Sequence, residues 1–312
     1  MHLLIEFNLD NSFQTHIISF WFNNILVFVN YFIKNIFKVI NSVKTIKFVI
    51  EKNRYMSDVV ILGSGNVASH FIKALSTCDI RIRQIYSRNS QTAADLCKLA
   101  KCEYVSKVDD IVADADFYFF IMNDEANVHI AKQISINSSS IAVHTAGSQS
   151  MNIFNGLTNN FGVFYPFQTF TKGAETDFTK VPICIEASNP ETYLSLDRLA
   201  HKLGCKTFNI DEAKREVLHL SGVFASNFMN HCVNIAEDIL SENNIDTSII
   251  MPLLEQSHYK IINHGAEASQ TGPALRNDNY TIEKHLKLIE KNEQYSAIYR
   301  VLTDSIKTKF NK

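Results

Sequence analysis

The run Val59-Val60-Ile61-Leu62-Gly63-Ser64-Gly65-Asn66-Val67-Ala68 joins four consecutive apolar residues to a glycine-spaced turn. A short continuous apolar run is the pattern of a strand buried on both faces. Beyond the turn, Val67, Phe71, Ile72 and Leu75 share one side of a helix. Strand, Gly-x-Gly-x-x-Ala turn and helix, in that order, bring main-chain N–H groups and the positive end of a helix against a pyrophosphate. Gly63, Ser64, Gly65, Asn66 and Val67 are therefore expected to bind a dinucleotide.

A second strand over Ile80 to Tyr86 runs into Ser87-Arg88-Asn89-Ser90. A site selecting NAD places Asp or Glu there for the ribose 2′-hydroxyl, whereas an arginine accommodates the extra phosphate of NADP. Ser87 and Arg88 thus predict NADP(H); the alternative is a solvated arginine after a strand. A helix follows from Ser90, its expected cap, to Leu99. Asp116 to Met122 and Ile141 to His144 read as further strands, which puts Met122, Asn123, His144 and Thr145 at carboxyl ends, where open α/β sheets bind ligands. His144 has two readings, a nicotinamide contact or a satisfied near-core histidine. Later strands are expected at Phe161 to Phe164, Val181 to Glu186 and Cys205 to Ile210, with a helix over Pro190 to Leu203. Pro166 stops the first of these, and Gln168 in Tyr165-Pro166-Phe167-Gln168-Thr169-Phe170 is a candidate substrate contact. From Asp211 the periodicity is helical to the end. Two domains follow: 56–210, alternating strand and helix, and 211–312, helical.

A long helix from Glu212 to Leu240, expected to be largely buried, carries His219, Ser226, Asn227, Asn230 and Asn234 within one 100° sector. Buried amides and an imidazole need partners, which either a polar ligand cleft or an interhelical hydrogen-bond network would supply. In Thr271-Gly272-Pro273-Ala274-Leu275-Arg276-Asn277-Asp278 the proline suggests a helix start. Arg276 there would clamp a carboxylate or phosphate, or pair with Asp278. No His, Cys or carboxylate spacing suggests a metal.

The 312 residues carry 30 basic and 32 acidic side chains, a formal charge of −2, so no bulk positive field draws nucleic acid or anionic lipid. The six cysteines form no C-x-x-C pair and read as reduced and cytoplasmic. Residues 1–55 stand apart: they lack Ala, Gly, Pro and Cys and are dominated by Phe, Ile, Asn, Lys and Tyr, all encoded by A- and T-only codons. They read as AT-rich upstream DNA translated in frame, with Met56 as the natural start. A membrane anchor over Asn11 to Ile33 is the rival reading, weakened by the polar Asn11, Asn23, Asn24 and Asn30.

Taken in order, VVILGSGNVASHF, IYSRN, HTAGS, YPFQTF, HLSGVFASNFMNH and TGPALRND resemble a bacterial family of Rossmann-like proteins whose carboxyl-terminal half is a domain of unknown function. That family is similar to pyrroline-5-carboxylate reductase, the deazaflavin-dependent NADP oxidoreductases and ketopantoate reductase. The resemblance covers about residues 58 to 310. It implies a Rossmann-type doubly wound, mostly parallel sheet followed by an all-helical domain, as in 6-phosphogluconate dehydrogenase, and a homodimer formed through the helical part. Ketopantoate reductases and β-hydroxyacid dehydrogenases carry a catalytic lysine on the first long helix of that domain, with asparagines four and eight positions on. With Asn227 aligned on the second asparagine, His219 stands where the lysine would be and Val223 where the first asparagine would be. The resemblance therefore implies an NADP-dependent reductase of a small 2-oxo or imino acid, ketopantoate the named candidate. In it His219 gives the proton, Asn227 and Asn230 orient the substrate beside Ser226, and Arg276 holds a carboxylate. The missing lysine keeps a second possibility in view, a non-catalytic NADP(H)-binding sensor or partner protein.

Overall fold

The computed structural model describes residues 58–310; the two readings of residues 1–55 and the start at Met56 lie outside them. Two compact units divide at His219 and Leu220. In the first, the chain runs β1 (Asp58–Leu62), α1 (Asn66–Ser76), β2 (Arg81–Tyr86), α2 (Ser90–Ala100), β3 (Glu103–Val105), β4 (Phe117–Phe120), α3 (Asp124–Ala131), β5 (Ile141–His144), β6 (Asn160–Pro166), β7 (Ile183–Ala187), α4 (Pro190–Lys202) and β8 (Thr207–Asn209). These eight strands form one sheet in the order β3-β2-β1-β4-β5-β6-β7-β8. Every neighbouring pair is parallel except β6 with β7. The chain builds outward from β1 in one direction and then from β4 in the other, so the order reverses between β1 and β4. This is the doubly wound Rossmann arrangement, whose ligands sit at the carboxyl ends beside that reversal.

The apolar runs form strands because both faces of the sheet are covered. Val59, Ile61, Phe117 and Phe119 point to one face and pack with Phe71, Ile72 and Leu75 of α1. Val60, Leu62, Tyr118 and Phe120 point to the other and pack with Ile130 of α3 and with Phe154. The period of two in a strand sends neighbours to opposite layers, so an unbroken VVIL or FYFF serves both.

Several local expectations are revised. Asn89, not Ser90, caps α2, its side chain accepting from the Thr92 N–H at 3.2 Å. The short β3 and the eight-residue α3 were not legible, and Asn123 caps α3 by accepting from the Ala126 N–H at 2.8 Å.

The second unit is helical. It follows α5 (Glu212–Gly222), a π-helical stretch (Val223–Phe228), α6 (Met229–Glu242), α7 (Met251–His264), α8 (Asn279–Leu288) and α9 (Glu293–Phe310). The unit boundary falls inside α5, later than residue 210, because the first turns of α5 are held to the sheet unit by Arg215. The expected single long helix is broken in geometry by the π stretch, which turns through less angle per residue than an α-helix. One 100° wheel therefore cannot run from His219 to Asn234. Nor is the helix buried: of α5 through α6 only Arg215 is buried, and Asn227, Asn230 and Asn234 are exposed, as are the apolar Phe224 and Phe228. Pro273 to Asn277 form turns after a bend at Gly272 instead of opening a helix, with φ of +109° at Gly272 and +54° at Asn277. The helix starts only at Asn279, where Asp278 caps it by accepting from the Thr281 N–H at 3.1 Å. Arg276 is an exposed residue of those turns.

Candidate functional site

At the point where the strand order reverses, a groove of about 1360 Å³ opens along the carboxyl ends of β1, β2 and β4. Its floor is the β1–α1 turn. Gly63 has φ of +129°, and a Cβ there would lie 2.2 Å from the Ile121 carbonyl oxygen, so only glycine fits where the turn touches β4. At Gly65 an added Cβ would meet nothing within 4 Å. That side of the turn faces open space. Helix α1 starts at Asn66 without a side-chain cap and without an acidic residue in its first turn, whereas α2, α3 and α4 are each capped by an asparagine. Uncapped N–H groups at a positive helix end are complementary to an anion.

Of the residues expected to hold a cofactor, Gly63, Ser64, Gly65, Asn66, Val67, Ser87, Arg88, Met122, Asn123 and Thr145 all line this groove. Ser87 is buried and structurally committed: its Oγ lies 2.7 Å from the Ser64 Oγ and accepts from the Asn89 N–H at 3.0 Å, and its carbonyl accepts from the Tyr104 hydroxyl at 3.0 Å. Those bonds lock the end of β2 against the glycine turn and leave the exposed Arg88 beside the groove. Ala146, His129, Lys132 and Phe170 also line it and were missed. Phe170 ends the YPFQTF segment and stacks on Phe178 at 5.9 Å between ring centroids, which explains that motif's second half.

His144 is a near-core residue but, against the expectation of a satisfied ring, keeps one nitrogen unpartnered. It is wholly buried and does not line the groove. Its Nδ1 accepts from the Ala146 N–H at 3.2 Å, while Nε2 has no partner. Burial, aided by the charge of Arg215, pushes its pKa down to about 3, so the ring is neutral. Gln168 is exposed and outside the groove, its side-chain oxygen accepting from the following Thr169 N–H at 2.9 Å.

Beyond Thr145 and Ala146 the chain reaches Gly147, and here three elements meet. The Tyr165 hydroxyl on β6 lies 3.1 Å from Nδ1 of His219 on α5. A Cβ on Gly147 would stand 2.6 Å from that Nδ1 and 3.0 Å from Cζ of Tyr165, so the missing side chain makes room for both rings. Burial pushes the Tyr165 phenol up to about 12, with nearby Cys184 adding to the shift and Arg215 opposing it. The hydroxyl therefore stays protonated near neutral pH.

Arg215, one turn before His219, is the largest wholly buried side chain among the described residues. It pairs with Glu186 of β7 and donates to the Gln149 carbonyl oxygen at 2.7 Å. Gln149 in turn donates to the Asp124 carbonyl oxygen at 2.7 Å and accepts from Asn127 at 2.9 Å. Nothing in the sequence separates Arg215 from the solvated charges around it. Among the described residues, no group of three or more His, Cys, Asp or Glu is arranged to hold a metal ion, and no helix is long and apolar enough to cross a membrane.

Residues 58–146 match the family described as NADP oxidoreductase, coenzyme F420-dependent, and residues 181–306 match the domain of unknown function DUF2520. A candidate NADP oxidoreductase of Bacteroides fragilis, of known structure, is 33% identical over 81% of this chain and 98% of its own, with a TM-score of 0.78. The chain belongs to this NADP oxidoreductase family. A Thermotoga maritima protein shares the fold at 21% identity, TM-score 0.60, over 80% of this chain and 97% of its own. So does 1-pyrroline-5-carboxylate reductase of Streptococcus pyogenes at 12% identity, TM-score 0.53, over 81% and 98%. No curated protein matches the chain. For a member of this oxidoreductase family, the groove and the ring pair at Gly147 are the features to explain.

Proposed function

We propose that this oxidoreductase binds NADP(H) in the groove and reduces the carbonyl or imine carbon of a small 2-oxo or imino acid, with His219 giving the proton. One observation carries the reading: His219 packs over Gly147, two residues past Thr145, which lines the groove. His219 is taken as the proton donor because Gly147, which it contacts, directly follows Thr145 and Ala146 of the groove lining. The glycine turn and the α1 N–H groups would hold the pyrophosphate, and Arg88 the 2′-phosphate. NADPH supplies a hydride when bound. The chain's own part is to orient the reacting carbon and to move one proton to the oxygen or nitrogen beside it, a role an imidazole ring can fill.

The imino-acid class is supported by the pyrroline-5-carboxylate reductase fold likeness, and ketopantoate remains the first 2-oxo acid to try, from the resemblance in sequence. Gln168, Ser226, Asn227, Asn230 and Arg276 are proposed substrate contacts, each to be tested by its effect on KM. A homodimer is proposed from the second unit's exposed apolar side chains, among them Phe224, Leu253, Ile262 and Leu288 at 64%, 65%, 79% and 78% exposure. Light scattering on the eluting protein tests it. A cytoplasmic setting is proposed from the six free cysteines.

The deciding experiment titrates the protein with NADPH and with NADH by nicotinamide fluorescence, then screens 2-oxo and imino acids with wild type and His219→Ala. Tight NADPH binding and turnover that falls ~10²–10⁴-fold in the variant, with cofactor affinity kept, is the expected result. NADPH binding without turnover of any substrate would favour the non-catalytic sensor, which the absent lysine makes the competing reading.

A further inference from the structure

We propose that Tyr165 is the positioning residue for His219: its hydroxyl holds the ring by Nδ1, so that Nε2 is the nitrogen left to carry the transferred proton. The inference rests on the reductase reading for its purpose but not for its geometry. Tyr165 and His219 come from β6 and α5, 54 positions apart, and meet at 3.1 Å with their rings inclined at 65°. Gly147 lies against both, and any larger residue there would intrude on the bond. Neither ring is free to drift. Tyr165 sits on a sheet strand paired with Cys184 of β7, and α5 is fixed one turn earlier by Arg215 on Glu186 and on the Gln149 carbonyl.

In histidine the hydrogen bond made by one ring nitrogen decides the role of the other. A phenol suits both protonation states. It donates to Nδ1 of the neutral ring, leaving the proton on Nε2, and accepts from Nδ1–H of the imidazolium. During reduction the imidazolium breaks its Nε2–H bond, and the proton goes to the substrate oxygen or nitrogen that gains the electron pair displaced by the incoming hydride. The Nε2 bonding pair stays on the ring, which is left for the moment as the Nδ1–H form; once Nε2 is reprotonated, loss of the Nδ1 proton lets the phenol donate again and returns the resting Nε2–H tautomer. His219 is exposed, so solvent restores the proton at Nε2. Phenylalanine at 165 could do neither half of this.

The test labels histidine with ¹⁵N and reads the His219 ring in wild type and Tyr165→Phe, alongside kcat and KM. Expected are one neutral tautomer, Nε2–H, in wild type and a mixture in the variant, with kcat lower by ~10–100-fold and KM and NADPH affinity within about twofold. Gly147→Ala, whose Cβ would push the ring off the hydroxyl, provides a second route to the same mixture should Tyr165→Phe fail to fold. A tautomer mixture in wild type, or an unaltered ring and kcat in Tyr165→Phe, overturns the proposal. A single wild-type tautomer that loosens in the variant, in a protein that turns over no 2-oxo or imino acid, supports the positioning role and removes the reductase reading instead.

Discussion

The Arg215 guanidinium, wholly buried on α5, donates to the main-chain oxygen of Gln149 at 2.7 Å. That bond, with the ion pair to Glu186, ties the helix carrying His219 to the loop that follows β5. Removing one member of a buried ion pair strands the other in a poor dielectric. Arg215→Met is therefore expected to lower unfolding free energy by about 3 kcal/mol, read from urea denaturation. Adding Glu186→Gln should restore part of the loss. A single Arg215→Met with wild-type stability would show that the pair carries no net structural load.

The buried neutral His144 makes stability pH-dependent. Its folded pKa, near 3, lies below the value of about 6.5 for an unfolded histidine. Above 6.5 both states are neutral and the histidine has no effect. As pH falls below that value, the unfolded chain takes up the proton first, and stability drops by up to about 1.4 kcal/mol per pH unit until the folded pKa is reached. Urea midpoints measured from pH 7 to pH 4 should therefore fall more steeply in wild type than in His144→Gln. Parallel slopes would mean that His144 does protonate in the folded protein.

At Gly63 the positive φ and the contact with Ile121 act together. Gly63→Ala should cost about 3 kcal/mol of stability, since backbone strain and a displaced β4 end both oppose it. NADPH binding should weaken even in protein that remains folded, as the turn is pushed out of the groove. Thermal melts with and without NADPH separate the two effects. An unperturbed melting point with unperturbed NADPH affinity would refute the close-contact account.

Arg88, proposed to hold the 2′-phosphate, lines the groove. Arg88→Ala is expected to weaken NADPH binding about 10- to 100-fold, the worth of one or two charge-assisted hydrogen bonds, while leaving NADH affinity nearly unaltered. Fluorescence titration at two salt concentrations checks this, because a charge contact with phosphate weakens as salt rises. An equal loss for both nucleotides would assign Arg88 to a part that NADPH and NADH share.

The doubly wound sheet was legible in sequence because its signals are local. A four-residue apolar run can be buried on both faces only inside a covered sheet, and Gly-x-Gly-x-x-Ala between strand and helix constrains the turn. Ten of the residues expected from such signals to hold the cofactor do line the groove. The same signals did not show that His144 is covered, since its place at a strand end does not say which side chain faces the core. The π stretch over Val223–Phe228 was invisible for a related reason: a helical period computed at 100° per residue assumes the geometry it is meant to reveal.

The sheet, the glycine turn and the helical character of the second half follow from the sequence alone, each set by residues within a few positions of one another. Only the tertiary structure shows that Arg215 is buried, that two rings fill the space over Gly147, and that Tyr165 meets His219 across 54 positions. Those are long-range pairings. Their energies come from desolvation and from contacts between strands and helices distant in the chain, and neither composition nor periodicity carries that information.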